Sequence, residues 1–188
     1  MSVRSALVLT ASDRSAAGER EDASGAAVAE RLTGLGFDVE REVVADDRPV
    51  IEGALKAGTA RHRLVVTTGG TGLTPRDVTP QATLAVIEYE VPGVAETMRQ
   101  AGREKTPMAS LSRSVVGVRG GSLIVNLPGS PKGAMESLEA ILPVLDHALE
   151  MLAGPFDHAA RAPAAATSPG GGDPAGDPGA VPAPDEHE

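Results

Sequence analysis

The sequence predicts a three-layer α/β/α fold around a mostly parallel sheet that carries one antiparallel hairpin strand. Three observations point to it. Short apolar runs alternate with amphipathic runs through residues 1–156, the pattern of repeated strand–helix units. Two of those runs, SALVLTA at Ser5–Ala11 and LVVTT at Leu64–Thr68, are apolar almost throughout, as strands covered on both faces must be. Gly120-Gly121 joins two β-rich runs and marks a hairpin.

The elements follow in order. After the strand Ser5–Ala11, Ser24 precedes a helix over 25–35, with Ala27, Val28, Leu32 and Leu35 at helical spacing and Gly36 as the stop. Asp38–Val44 is a second strand. Pro49 suits the first turn of a helix over 50–57. The buried strand Leu64–Thr68 runs into a glycine cluster. Thr79 caps the next helix with Pro80 at its first position. Pro92 and Gly93 break it, and another helix covers 94–103. Residues 114–119 and 122–126 form the hairpin. A last strand-to-helix junction spans 126–131, and 136–151 is one or two helices with Pro143 as kink or boundary.

Composition removes several functional classes. There is no cysteine, which excludes disulfides, zinc thiolates and thiol nucleophiles. Aromatics are 2% of residues, leaving no platform for base stacking, and a net charge of −9 opposes a phosphate-backbone partner, so no nucleic acid is expected. No apolar run reaches about 18 residues, so no membrane span is expected, and nothing resembles a signal peptide. The cytoplasm is the expected compartment. Composition shifts after Phe156: residues 157–188 are Ala, Pro, Gly and Asp with six acids and one arginine. That segment reads as a disordered tail, because it lacks the apolar surface that offsets ordering entropy. The alternative is a tether for a partner.

In open α/β sheets, ligands bind beyond the carboxyl ends of the strands. Four such ends carry polar or glycine-rich turns: Thr10 to Arg14, with Ser12 and Asp13; Asp46 and Asp47 after Val44; Thr67 to Gly72 followed by Pro75-Arg76-Asp77; and Asn126 to Pro131. Gly69, Gly70 and Gly72 leave backbone amides free to surround an anion, with Thr71 as a hydroxyl donor. A tight turn leaving a buried strand uses the same residues. No Lys-Ser/Thr pair follows, and Pro75 stands where a dinucleotide fingerprint has glycine. Gly129 frees the backbone before a helix opened by Ser130-Pro131, whose N-terminus favours an anion, and Lys132 adds positive charge. Ordinary capping by Ser130 accounts for part of that pattern. Asp46 and Asp77 suit Mg²⁺, which takes one or two carboxylates plus phosphate oxygens and water. Each is also a common turn residue. The four histidines show neither metal-ligand spacing nor a triad partner.

The string TTGGTGLTPRDVTPQAT at residues 67–83 resembles the signature of the molybdenum-cofactor biosynthesis family, in its MogA/MoaB branch. ASDR at 11–14, VPG at 91–93 with Glu96 and Met98-Arg99, and NLPGSPKGA at 126–134 agree with it in order and spacing. The resemblance covers about residues 3–155. It implies an α/β homotrimer that adenylylates molybdopterin from Mg-ATP, releases pyrophosphate, and hands its product to a molybdate-inserting protein. Carried over by position, it implies catalytic or magnesium-binding roles for Asp46 and Asp77. It implies substrate contacts for Ser12, Asp13, Gly69, Gly70, Thr71, Gly72, Ser112, Asn126, Pro128, Gly129 and Ser130. Leu73-Thr74-Pro75 takes no role. Rival readings are a paralogue that binds pterin or nucleotide without catalysis, a molybdate-inserting branch that usually carries further domains, and an interaction module acting through the tail.

Overall fold

Six strands form one sheet in the order β2-β1-β3-β6-β5-β4. The computed structural model describes residues 4–154, and the 157–188 tail lies outside the described residues. The strands are β1 (Ser5–Ala11), β2 (Asp38–Val44), β3 (Leu64–Thr68), β4 (Tyr89–Glu90), β5 (Val116–Arg119) and β6 (Ser122–Leu127). β2, β1, β3 and β6 are parallel, while β5 pairs antiparallel with both β6 and β4. The helices are α1 (Asp13–Ala16), α2 (Ala23–Gly34), α3 (Arg48–Arg61), α4 (Thr79–Val86), α5 (Pro92–Arg103) and α6 (Pro131–Ala153), with a 3₁₀ turn at Pro107–Leu111.

The two-residue period of the strands divides the core in two. Ala6, Val8, Leu64, Val66, Leu123 and Val125 face α2, α5 and α6 through Val28, Leu32, Met98, Leu138, Ile141 and Leu145. Leu7, Leu9, Val65 and Ile124 face α3 and α4 through Ile51, Leu55, Ala82 and Val86. β1, β3 and β6 are buried along their whole length. Burying each leucine this way stabilises the fold by roughly 1.5–3 kcal/mol.

Several local expectations change. Asp22 caps α2 in place of Ser24, accepting from the Gly25 N–H at 2.8 Å. A carboxylate is an equally good acceptor, and here Arg41 also holds it. Thr79 does not cap α4; Val78 occupies the cap position without a side-chain bond, and the Thr79 hydroxyl packs beneath Gly70. α5 begins at Pro92, which fits the first helical turn because proline's missing N–H is needed there by no partner. α6 runs unbroken through Pro143. β4 and the 3₁₀ turn are too short for periodicity to reveal.

Register places the rim. Ala11 pairs with Val44, Thr10 with Thr68, and Thr68 with Leu127, so four parallel strands end level. The order reverses between β1 and β3, the switch point where a crevice opens. Asn126 fastens this end of the sheet. It is fully buried, its Nδ2 donates to Thr67 Oγ1 at 3.0 Å and Thr83 Oγ1 at 2.9 Å, and its Oδ1 accepts from the Val115 N–H at 3.3 Å. Asn126→Ala leaves those groups short of partners in a dry core, and the expected loss is about 2–4 kcal/mol in urea unfolding. A change below ~0.5 kcal/mol would show that the network does not brace the rim.

Candidate active site

The rim turns touch one another through their backbones. A Cβ on Gly69 would stand 2.3 Å from the Ala11 carbonyl oxygen, and one on Gly129 would stand 3.1 Å from Gly69 Cα. The ends of β1, β3 and β6 therefore meet where side chains have been removed. Gly69 (φ +92°) and Gly70 (φ +63°) also take the left-handed conformation that glycine adopts without strain. A Cβ on Gly70 would lie 2.3 Å from Thr79 Oγ1 and 3.4 Å from Asp46 Oδ1, so the β2 turn joins the same cluster.

Asp13 and Asp46 brace each other: the Asp13 N–H donates to Asp46 Oδ2 at 2.9 Å, and the Asp46 N–H donates to Asp13 Oδ1 at 3.0 Å. Arg76, from the turn after β3, pairs with Asp13, with Nη2 at 2.6 Å from Asp13 Oδ2. That guanidinium, with the Asp46 amide, holds the Asp13 carboxyl below its ordinary range. Burial pushes Asp46 up, and the like charges of Asp13 and Asp77 add to the push against the Asp13 amide and Arg76. Asp77 is the reverse case. Burial raises it, but the Thr74 hydroxyl, the Thr74 and Gly72 amides and the Arg113 charge outweigh burial and hold it low. Its Oδ2 accepts from the Thr74 N–H at 2.7 Å, closing the turn that begins at Gly72.

Two depressions flank the turn before α6. One, of about 260 Å³, is lined by Thr71, Gly72, Ser112, Pro128 and Ser130 together with Met98, Arg99, Met108, Leu111, Ser114 and Glu136. The other, of about 420 Å³, is lined by Arg20 to Ser24 and by Gly129, Ser130 and Pro131. Ser130 borders both, and its Oγ accepts from the Gly133 N–H at 3.2 Å as the cap of α6. Ser12 sits at the rim as the cap of α1, with Arg20 Nη2 at 3.3 Å from its Oγ. Asn126 faces neither depression, because all its bonds turn inward. Lys132 points into solvent and lies 3.9 Å from Glu136.

Sequence reasoning missed Arg20, Asp22, Met108 and Arg113, and gave Met98-Arg99 only as part of the family's pattern, with no place in the site. A polar run just before a helix was the available signal for Arg20 and Asp22. Below the second depression Asp22 accepts from Thr10 Oγ1 at 2.9 Å and pairs with Arg41 at 2.9 Å, while Thr10, Thr68 and Ser24 complete a buried polar chain.

The residues suit magnesium. Asp46 Oδ2 and Asp77 Oδ2 each take a backbone amide, and the missing side chain of Gly70 leaves space beside Asp46 Oδ1. Among the described residues no three histidine or acidic side chains form a ready-made metal cage. Magnesium does not need one, since substrate phosphates and water supply most of its ligands.

A doubly wound α/β domain with amide-rich glycine turns and carboxylates at its switch point belongs to the class that binds phosphorylated ligands. The chain belongs to the family described as "Probable molybdopterin binding domain", whose profile matches residues 7–147. A molybdopterin adenylyltransferase from Helicobacter pylori strain J99 is 42% identical over 154 residues, 79% of this chain and 88% of that one. One from Escherichia coli K12 is 42% identical over 139 residues, 71% of each chain. The molybdopterin biosynthesis enzyme MoaB from Thermus thermophilus has a similar structure, with TM-score 0.75 and 52% identity over 81% of this chain and 99% of that one. The molybdopterin biosynthesis Mog protein from Mycobacterium ulcerans gives TM-score 0.75 at 45% identity, covering 79% and 99%. The architecture is thus that of MogA/MoaB proteins. No helix among the described residues is long and apolar enough to cross a membrane.

Two variants test this geometry. Gly69→Ala forces a side chain onto the Ala11 carbonyl in a left-handed backbone, and is expected to cost at least about 2 kcal/mol and to abolish ligand binding. Wild-type melting and binding would show that the turns do not need this approach. The second variant is Asp22→Asn. Burial raises the Asp22 carboxyl, but Arg41, the Gly25 amide and Thr10 outweigh it and hold it below the ordinary value. Its stabilisation is therefore complete above about pH 4, the unfolded value, and is lost as pH falls through the lower folded value. Asp22→Asn is expected to be weaker at neutral pH and to lose less stability than wild type on acidification, read from urea midpoints across pH. Parallel pH curves for the two proteins would contradict this.

Proposed function

We infer that the chain is a molybdopterin adenylyltransferase, which transfers AMP from ATP to the terminal phosphate of molybdopterin and releases pyrophosphate. The observation that carries the reading is the meeting of four rim turns, rich in backbone amides, beside two carboxylates in a member of this family. A phosphate oxygen of molybdopterin attacks the α-phosphorus of ATP. The bond from that phosphorus to the bridging oxygen breaks, and pyrophosphate carries the electron pair away. No protein nucleophile takes part.

The work left to the protein is alignment of two anions that repel. Two unit charges about 4 Å apart repel by about 4 kcal/mol at an effective dielectric near 20. The Gly69 amide is taken by the Leu127 carbonyl, and the amides of residues 70–72 and the N-terminus of α6 present positive dipoles to the two anions. Such preset dipoles lower the barrier because they need no reorganisation as charge develops. Asp46 and Asp77 would hold Mg²⁺ when it arrives with the phosphates, and the ion would supply further charge neutralisation. The depression beside Met98, Met108 and Leu111 offers apolar walls for a ring system, and the one lined by Arg20, Glu21, Ser24 and Ser130 offers polar walls for a second ligand. Ser12, Asp13, Gly69, Gly70, Thr71, Gly72, Ser112, Pro128, Gly129 and Ser130 contact substrate in this reading, while Asn126 supports them from behind. The same reading makes the protein a cytoplasmic homotrimer that hands adenylyl-molybdopterin to a molybdate-inserting protein. Its support is the family resemblance.

The test is pyrophosphate release by purified full-length protein given molybdopterin, ATP and Mg²⁺. Asp77→Asn is expected to retain the fold and pterin binding but to lose most turnover, on the order of 10²-fold. A near-wild-type rate would remove Asp77 from the chemistry. Calorimetric binding of both ligands with no pyrophosphate released would favour a binding-only paralogue.

A further inference from the structure

Arg113 lies outside both depressions, yet it holds the glycine turn at three points. Its own N–H donates to the Thr71 carbonyl at 3.1 Å. Its Nε donates to the Gly72 carbonyl at 2.7 Å, and its Nη2 donates to the Asp77 carbonyl. Gly72 and Asp77 are the two ends of the turn that Asp77 closes from inside, accepting from the Thr74 N–H at 2.7 Å. One guanidinium therefore spans the turn from behind while one carboxylate spans it from the front.

The peptide unit is planar and trans, so a carbonyl and the next amide point in opposite directions. Drawing the carbonyls of residues 71, 72 and 77 toward Arg113 turns the amides of Gly72, Leu73 and Val78 the other way. Arg113 is half-buried, and both of its guanidinium bonds go to backbone carbonyls. The planar fork is the feature that lets one side chain reach two carbonyls at once. An ammonium is a point charge and reaches one.

We propose that Arg113 is a positioning residue that aims Asp77 and the amides of the 71–78 turn at the reacting phosphates, without touching substrate itself. The proposal rests on the adenylyltransferase reading for its kinetic consequence and on the geometry alone for its effect on the turn. Displacements of about 1 Å in an aligned site cost on the order of 10²-fold in rate. Loss of the clamp acts on kcat, because the ligand-binding walls contributed by α5, α6 and the 3₁₀ turn stay in place.

The test compares full-length wild type, Arg113→Met and Arg113→Lys well below the melting temperature of each. Two readouts are used: backbone amide hydrogen exchange, and kcat and KM from pyrophosphate release. In Arg113→Met, exchange over residues 71–78 is expected to rise about tenfold while β1 and α3 stay protected. Its kcat is expected to fall on the order of 10–100-fold with KM for ATP within about threefold. Arg113→Lys is expected to recover less than half of the lost rate, because it cannot bridge residues 72 and 77. Unchanged exchange over 71–78 in Arg113→Met overturns the proposal. So does uniformly raised exchange with kcat reduced only by the unfolded fraction, or full rescue by lysine. A wild type that releases no pyrophosphate defeats the adenylyltransferase reading instead, and the exchange data alone then decide whether Arg113 clamps the turn.

Discussion

The contact on which the rim depends is backbone against backbone, at Gly69. A Cβ there would stand 2.3 Å from the Ala11 carbonyl oxygen, which excludes one, and a Cβ on Gly129 would stand 3.1 Å from Gly69 Cα, a tight approach. Parallel pairing sets this up: β1, β3 and β6 end level, so the turns that follow them start at one height and converge. Removing side chains at the convergence lets the turns after β1, β3 and β6 pack backbone against backbone. The core beneath supplies rigidity. β1, β3 and β6 are buried on both faces, and Asn126 ties β6 to Thr67 of β3 and Thr83 of α4.

Charge follows the same local logic. The chain is acidic as a whole, with a net charge of −9, yet the proposed site at its rim takes anions. Fixed dipoles make that workable, because their field is strong within a few ångströms and does not depend on net charge. The carboxylates at the rim are individually restrained. Asp13 is tied to Arg76 and the Asp46 amide, Asp77 to the Thr74 and Gly72 amides, and Asp46 to the Asp13 amide. Asp46 is left raised by burial while Asp77 is held low, so the two acids facing one cluster do not share one environment.

What the sequence disclosed tracks how local each signal is. The buried strands were legible because a strand covered on both faces is apolar throughout, and the rim turns because glycine, proline and acidic residues follow those strands directly. The level ending of the strands was not legible, since register comes from pairing across the sheet. Asp22 in place of Ser24 at the α2 cap depends on Arg41, 19 residues away and on another element. Arg113 lies 41 residues from Gly72, with no motif around it that announces a clamp. The place of Asn126 in NLPGSP suggests a pocket residue, but a polar residue near the end of a buried strand also serves as an interior brace. Only its three inward bonds distinguish the two roles.

The central claim is that one rim aligns two anionic ligands around carboxylate-held magnesium. The most direct measurement is a crystal structure of the protein with a non-hydrolysable ATP analogue and Mg²⁺. The account predicts phosphate oxygens within hydrogen-bond distance of amides in residues 70–72 or at the start of α6, with the metal ligated by Asp46 or Asp77. Nucleotide bound away from this rim, with both aspartates remote from metal and phosphate, would contradict it.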